Sequence, residues 1–313
     1  MPPVALGAGP VAVLVNPDAA RGRYRAILPA VVARLGRRGG PVEVLEATTA
    51  AAARQACQRA VAGGAAALVA VGGDGTVHVA LQAVAGRGVP LAVVAAGTGN
   101  DFATELGLPT DPVAAADVAA LALGTGITRA IDLARVTGPA GGARIAGPAG
   151  GAHWYGAVLG AGFDGLVNER ANRMRFPRGP RRYDVAILAE LAGLRARRYT
   201  LGLDDDVVEV DAVLVAVGNT ASYGGGMRIC PAADPTDGML DVVVVGAVSR
   251  ATLLRIKPRL YTGRHVEHPA VTQYRARRVE IASAGLVAYA DGERSLALPI
   301  TITSHPGVLT LLA

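Results

Sequence analysis

Four short apolar runs, Val11–Val15, Val42–Leu45, Ala67–Val71 and Leu91–Ala95, are separated by stretches with helical periodicity, and no other feature constrains the fold as much. Runs of Val, Leu and Ala without polar alternation fit strands covered on both faces, as in a parallel sheet crossed by helices. Tyr24–Leu35, Ala50–Ala62, Val77–Ala85 and Asp101–Leu106 read as those helices. Pro112–Leu123 reads as another, with Asp111 as its cap and Pro at its first position. After Ile131-Asp132 the rhythm changes to short strands: His153–Leu159, Tyr199–Leu203, Val207–Val217, Leu240–Gly246, Val279–Ala282, Leu286–Tyr289, Ile300–Thr303 and Val308–Leu311. Two helices, near Leu166–Met174 and Tyr183–Ala196, interrupt them, and the Gly-, Ala- and Pro-rich stretch Thr137–Ala152 reads as a long hairpin tip. The expectation is an α/β domain at residues 1–131 and a β-rich, antiparallel, sandwich-like domain at 132–313, with room for the last strand to return to the first.

The loops at the strand ends carry the chemistry. Val71-Gly72-Gly73-Asp74-Gly75-Thr76 follows a strand and opens a helix. Three glycines let backbone approach a ligand closely, and a helix N-terminus offers unpaired N–H groups to phosphate. Asp74 would repel phosphate by itself, but makes sense if Mg²⁺ bridges the two. The plainer reading is a tight turn capped by Asp74 or Thr76. Gly97-Thr98-Gly99-Asn100-Asp101 repeats the arrangement after the next strand, and Asn16-Pro17 ends the first. In a parallel sheet all three would lie on one edge, beyond the carboxyl ends of the strands. Neither of these two glycine loops is a Gly-Lys-Ser/Thr phosphate loop or a Gly-x-Gly-x-x-Gly fingerprint.

Composition narrows the partners. Over 313 residues the chain carries a formal charge of +6, which favours anionic partners without choosing among nucleotide, nucleic acid and acidic lipid. Basic clusters at Arg173–Arg182, Arg195–Arg198, Arg255–Arg264 and Arg275–Arg278 read either as solvated faces or as a patch for acidic head groups. Aromatic residues make up only 4%, with no stacking signature beside the arginines, so no nucleic-acid partner is expected. Cys57 and Cys230 stand apart from each other and from any His-rich segment, which points to a reducing compartment. Met1–Val15 lacks a charged leader and no run of about 18 apolar residues follows. The expected place is the cytoplasm, with peripheral contact at the inner membrane face.

Nine blocks in order make the sequence resemble the diacylglycerol kinase catalytic family, which also holds sphingosine and ceramide kinases and bacterial relatives. They are Asn16-Pro17, Gly72–Thr76, Gly97–Ala103 with Leu106-Gly107, Ile131-Asp132-Leu133, Gly160–Asp164, Gly218-Asn219, Tyr223–Met227, Asp237–Val242 and Asp291-Gly292-Glu293. The resemblance implies a nucleotide-binding first domain of the NAD kinase and diacylglycerol kinase type and a lipid-substrate second domain. ATP and Mg²⁺ would be used to phosphorylate a lipid hydroxyl, most simply diacylglycerol to phosphatidic acid, at an anionic membrane surface; a homodimer is left open. On this resemblance ATP lies across Gly72, Gly73, Asp74, Gly75 and Thr76 and against Gly97, Thr98 and Asn100, with Asn16 and Thr48 nearby and Arg21 meeting phosphate. Asp74, Asp101 and Asp132 would organise the catalytic Mg²⁺ through waters. Asp291 or Glu293 would be the general base. Asp234, Asp237 and Met239 would hold a structural Mg²⁺, partly through main-chain oxygens. By themselves Asp237-Gly238 and Asp291-Gly292 are good turn dipeptides. Asp18-Ala19-Ala20 departs from the family's glycine after Asn-Pro, and His78-Val79 stands where Asn-Glu is common; His78 reads as a helix surface residue. A soluble-metabolite kinase of the NAD kinase type and a non-catalytic nucleotide or lipid carrier are the alternatives.

Overall fold

The computed structural model describes residues 7–15, 24–139, 152–174, 176 and 181–313. The chain divides into two compact units, Met1–Leu133 with Pro235–Asp237 and His305–Ala313, and Ala134–Asp234 with Gly238–Ser304.

In the first unit β1 (Val11–Val15), β2 (Val42–Glu46), β3 (Ala67–Gly72) and β4 (Leu91–Ala95) form a parallel sheet in the order β2-β1-β3-β4. Val13 lies opposite both Val44 and Val69, so alternate residues of neighbouring strands share a face. Every residue of β1, β3 and β4 is buried, whereas edge strand β2 is largely exposed. Helices α1 (Tyr24–Gly39) and α5 (Pro112–Thr125) cover one face, where Val31, Leu35, Ala116 and Ala119 meet Val13, Val69 and Val94. Burying each such Val or Leu stabilises the fold by about 1.5–3 kcal/mol. The other crossovers, α2 (Ala50–Ala62) and α3 (Asp74–Val84), pack on one another. The caps are legible in the chain: Asp111 accepts from the amides of Val113 and Ala114, with Pro112 at the first turn, and Thr49 accepts from Ala52. Leu311 pairs parallel with Leu91, so a strand from residues 305–313 flanks β4.

The second unit is antiparallel. β5 (Arg129–Thr137) leads into it and pairs with β6 (His153–Tyr155) through Val136 and His153. β7 (Val158–Gly162), α6 (Phe163–Arg173), α7 (Arg181–Ala192), β8 (Arg197–Leu203) and β9 (Asp206–Gly218) follow. The 13-residue β9 serves both halves of the unit: its first part pairs with β8, and its last residues pair with β7 on one edge and β10 (Leu240–Gly246) on the other. After β10 come α8 (Arg250–Ile256), two 3₁₀ turns, β11 (Val271–Ala276), β12 (Arg278–Ala282), β13 (Val287–Ala290), β14 (Glu293–Ala297) and β15 (Ile300–Leu311). Tyr155, Leu159, Tyr199, Leu201, Val217 and Ile302 belong to its main core.

The α/β and β-rich halves are those expected, and the differences are local. The strand expected over His153–Leu159 is two, broken at Gly156-Ala157. Ile300–Thr303 and Val308–Leu311 are one strand, because Gly307 at φ 61° turns the chain without ending it. β5, β11, β14 and helix α8 were not anticipated; β11, Val-Thr-Gln-Tyr-Arg-Ala, is buried only at its two ends and carries no apolar alternation to betray it. His78 is not a surface residue but is 9% exposed, since α3 is covered from Val77 to Leu81 without a break. Most of Thr137–Ala152 lies outside the described residues.

Candidate active site

The two glycine loops of the first unit lie against each other. Ala96 donates its amide to the carbonyl of Gly72, which extends the β3–β4 pairing to the strand ends. A Cβ on Gly97 would stand 2.5 Å from the Cα of Gly73 and 2.8 Å from Asn100 Oδ1. These glycines are therefore required by the approach of one loop to the other, whatever else they admit. Asn100, at φ 59°, closes the second loop on itself: Oδ1 accepts from the Gly97 amide at 3.0 Å and Nδ2 donates to the Gly97 carbonyl at 3.1 Å. Asn tolerates this left-handed conformation better than most residues.

Asp74, the first residue of α3, reaches across to the second loop. Its Oδ2 accepts from the Asn100 amide at 2.9 Å and its Oδ1 from the Phe102 amide at 3.2 Å. An acid in a glycine loop thus has a use besides metal: it caps α4 (Asp101–Glu105) from outside and ties the loops together. Asp101 is buried, and its Oδ2 lies 3.6 Å from where a Cβ of Gly99 would be, Asp74 Oδ2 2.8 Å from the same point. Two carboxylates therefore face one stretch of exposed backbone. Gly75 and Thr98 are exposed, Gly73, Thr76 and Gly97 are half-buried, and Gly72, the last residue of β3, is buried. Thr48 is exposed after the end of β2, while its neighbour Thr49 does the capping. Asn16 and Arg21 lie outside the described residues.

Asp132 is 3% exposed; its Oδ1 accepts from the Gly307 amide at 2.7 Å and its own amide donates to the Pro235 carbonyl at 2.8 Å. That binds it to the Pro235–Asp237 segment within the same unit. Asp234 and Asp237 are exposed, Gly238 has φ 75°, and Met239 is half-buried. Among the described residues no three His, Cys, Asp or Glu side chains are grouped to hold one metal ion. What the glycine loops supply is two hard oxygen donors on one edge, a set suited to Mg²⁺, which binds through one or two carboxylates and fills its remaining positions with phosphate and water.

In the second unit Asp291 and Gly292 form the turn between β13 and β14, with Ala290 opposite Glu293. Both turn residues have positive φ, 51° and 79°, the two-residue hairpin that Asp-Gly favours. The turn reading holds, and the Asp291 side chain also reaches outside the turn. The Asp291 carboxylate accepts from the amides of Gly156 at 3.1 Å and Ala157 at 2.9 Å, and its own amide donates to Val158. These two amides are where β6 and β7 part, which is the physical reason for the break. Glu293 is exposed, so of the two expected bases the geometry orients Asp291.

A carboxyl group given no role from sequence lies in the first turn of α6, directly after β7. Asp164 accepts from the Tyr223 hydroxyl at 2.8 Å and from Asn168 Nδ2 at 3.4 Å, with its carboxyl end enclosed over Gly160. Burial pushes it up to about 6, against the pull of the Tyr223 hydrogen bond. Its signal in sequence was the spacing Gly160-Ala161-Gly162-Phe163-Asp164, which places an acid one turn past a strand glycine. The folded state holds this proton up to about pH 6 while an unfolded chain releases it near 4. Stability contributed here is present at low pH and is lost as pH rises from about 4 to 6. Asp164→Asn, which keeps an acceptor for Tyr223, is expected to unfold at higher urea than the parent at pH 7.5, by roughly 1–3 kcal/mol, and to match it at pH 4.

Within the basic clusters, Arg173 pairs with Glu169, Arg198 with Glu209 and Asp211, Arg264 with Glu267, Arg275 with Asp241 and Arg278 with Glu280, so part of that charge is answered locally. Around α8, Leu254 and Tyr261 are exposed beside Arg255, Lys257 and Arg259. Among the described residues no helix is long and apolar enough to cross a membrane.

Comparison with known proteins places this arrangement. Residues 10–136 match the diacylglycerol kinase catalytic domain, and residues 157–313 match the YegS C-terminal NAD kinase beta sandwich-like domain. A diacylglycerol kinase of Mycobacterium tuberculosis H37Rv is 42% identical over 97% of this chain and 95% of its own length. A probable lipid kinase, YegS-like, of Pseudomonas aeruginosa is 32% identical over 62% of this chain and 59% of its own. Among solved structures, a putative diacylglycerol kinase from Bacillus anthracis superposes with a TM-score of 0.78 at 22% identity, covering 99% of this chain and 96% of that one. An NAD kinase from Archaeoglobus fulgidus, solved with ATP, reaches 0.54 at 14% identity over 96% and 93%. At such identities these two share the fold.

Proposed function

We propose that this chain, which belongs to the diacylglycerol kinase catalytic family and is a lipid kinase, transfers the γ-phosphoryl group of ATP to the free hydroxyl of diacylglycerol, giving phosphatidic acid. The observation that carries the substrate is the 42% identity, across nearly the whole chain, to a relative named for that lipid. The nucleotide would sit on the edge formed by Gly72–Thr76 and Gly97–Asn100, where the first turn of α3 presents its amides to phosphate. Mg²⁺, held by Asp74 and Asp101 with Asp132 acting through water, would neutralise charge on the β- and γ-phosphates. Asn16, Thr48 and Arg21 complete the proposed nucleotide set, and Asp234, Asp237 and Met239 a second, structural metal position.

The chain's own part in the step is to place an acceptor for a proton. Asp291, its carboxylate fixed by the Gly156 and Ala157 amides, takes the proton of the lipid hydroxyl as the oxygen attacks phosphorus in line and ADP leaves. Asp291, rather than Glu293, is assigned the base because only its carboxylate is held in one place by hydrogen bonds to the fold. The acceptor is met at an anionic membrane surface by peripheral contact, which the exposed Leu254 and Tyr261 among basic residues support.

The test is transfer of labelled phosphate from ATP to a panel of lipids in mixed micelles, with and without Mg²⁺. Labelled phosphatidic acid, formed only with Mg²⁺, is the expected product. Labelling of ceramide or a sphingoid base instead would move the substrate within the lipid class. Labelling of NAD with no lipid labelled would overturn the reading.

A further inference from the structure

We infer that Asn219 is a positioning residue for the phosphoryl transfer, acting on the chemistry only through Asp291. The inference rests on the reading of Asp291 as the base.

Asp291 does not hold itself in place. Its carboxylate is aimed by two amides on the short link Gly156-Ala157, between β6 and β7. A link of two residues with a glycine in it has little stiffness of its own. The Gly156 carbonyl shares a rigid peptide plane with the Ala157 N–H and the Ala157 carbonyl anchors the end of the link, so the aim of the two amides depends on what grips these carbonyls. Asn219 grips both. Its side-chain Nδ2 donates to the Gly156 carbonyl at 2.9 Å, and its backbone amide donates to the Ala157 carbonyl at 2.8 Å. The Thr220 amide adds a longer bond to the same Ala157 carbonyl at 3.2 Å, and the Tyr155 hydroxyl fixes the residue before the link to Val217 at 3.1 Å. Tyr155, Asn219 and Thr220 are each fully buried.

The residue types follow from these contacts. A donor is needed at the Gly156 carbonyl; a carboxylate of the same size offers none and would face oxygen with oxygen. The neighbouring Gly218 is fixed by packing, since a Cβ there would stand 2.6 Å from Cys230 Cβ, which brings the chain close enough for the next side chain to turn into the link. The Gly218-Asn219 block, which neither the nucleotide loops nor the base explains, is accounted for as the far end of the Asp291 support. Displacing a reacting group by about 1 Å lowers turnover on the order of 100-fold.

The experiment is a double-mutant cycle on the full chain, with kcat, KM for ATP and the pH dependence of kcat measured for Asn219→Ala, Asp291→Asn and the pair. Asn219→Ala alone is expected to lower kcat about 10- to 100-fold, to leave KM for ATP unchanged and to displace the pH profile. In the Asp291→Asn background it is expected to change kcat by less than about twofold, because the group it positions is gone. An equal loss in both backgrounds would mean a general structural role and would overturn the inference, as would no loss in the parent. Asn219→Ser, which keeps the backbone bond and loses the side-chain reach within a polar residue, gives the same cycle should the alanine variant fail to fold. Full activity in Asp291→Asn would overturn the base assignment itself, and is distinguished by being read from that variant alone.

Discussion

Asp291→Ala is expected to lower the turnover of diacylglycerol phosphorylation by about two to four orders of magnitude, the range that a positioned general base contributes, with ATP affinity unchanged. The nucleotide contacts proposed here lie on the glycine loops of the first unit, whereas Asp291 belongs to the second. Gly292 and the β13–β14 pairing remain in the variant, but alanine at φ 51° costs the turn about 1–2 kcal/mol and the amides of Gly156 and Ala157 are freed, so its folding is checked by melting temperature beside the rate. Glu293→Gln is the companion variant. It removes an exposed carboxylate two residues away and is expected to change turnover by less than about threefold, surface substitutions being generally mild. Measured by initial rates under saturating lipid, the reverse order of effects would transfer the role of base to Glu293.

The second large effect belongs to Asp74, and it has two components that separate experimentally. The alanine variant loses two hydrogen bonds to an ionised acceptor, from the amides of Asn100 and Phe102, each worth about 1.5–3 kcal/mol. The expected loss of stability is roughly 3–5 kcal/mol, a fall in melting temperature on the order of 10 °C. Turnover is expected to fall at least about 100-fold, the usual size for removing a group that stabilises transition-state charge. Asp74→Asn distinguishes the components: it retains one acceptor oxygen and should recover part of the melting temperature without recovering turnover. Wild-type turnover in either variant would end the assignment of Asp74 to the metal. A melting temperature unmoved in the alanine variant would show that the bond between the loops contributes little.

How much of this was legible before the structure depends on the kind of interaction. The first unit could be read almost whole, because its strands are continuous apolar runs and its caps, Thr49 and Asp111, are local. The glycine loops could be found as loops, but not the reason for their glycines. Gly73 and Gly97 are far apart in sequence, and their contact exists only once β3 and β4 pair. The same holds for Asp74, whose partners are 26 and 28 residues away. In the second unit the turn chemistry of Asp291-Gly292 was plain, yet nothing local said that the side chain bonds across 134 and 135 residues to a break in another strand. Asp164 and Asn219 sat inside recognised blocks without a role, because their partners, Tyr223 and Gly156, are 59 and 63 residues away in sequence. His78 was misplaced for a simpler reason: periodicity locates one covered face, and α3 is covered on more than one.

The strand from residues 305–313 that flanks β4 carries a consequence for synthesis. When a ribosome has delivered residues 1–133, the four parallel strands are available but the segment that pairs with Leu91 has not yet been made. Everything in the second unit must be translated first, at about 5–20 residues per second, before that edge of the sheet can close. During this interval β4 offers the open side of a buried, apolar strand to any neighbour, the condition under which nascent sheets mispair. The first unit is thus the earliest to be translated and among the last to be finished, and substitutions in residues 305–313 should show themselves in the yield of folded protein before they show in the activity of the molecules that fold.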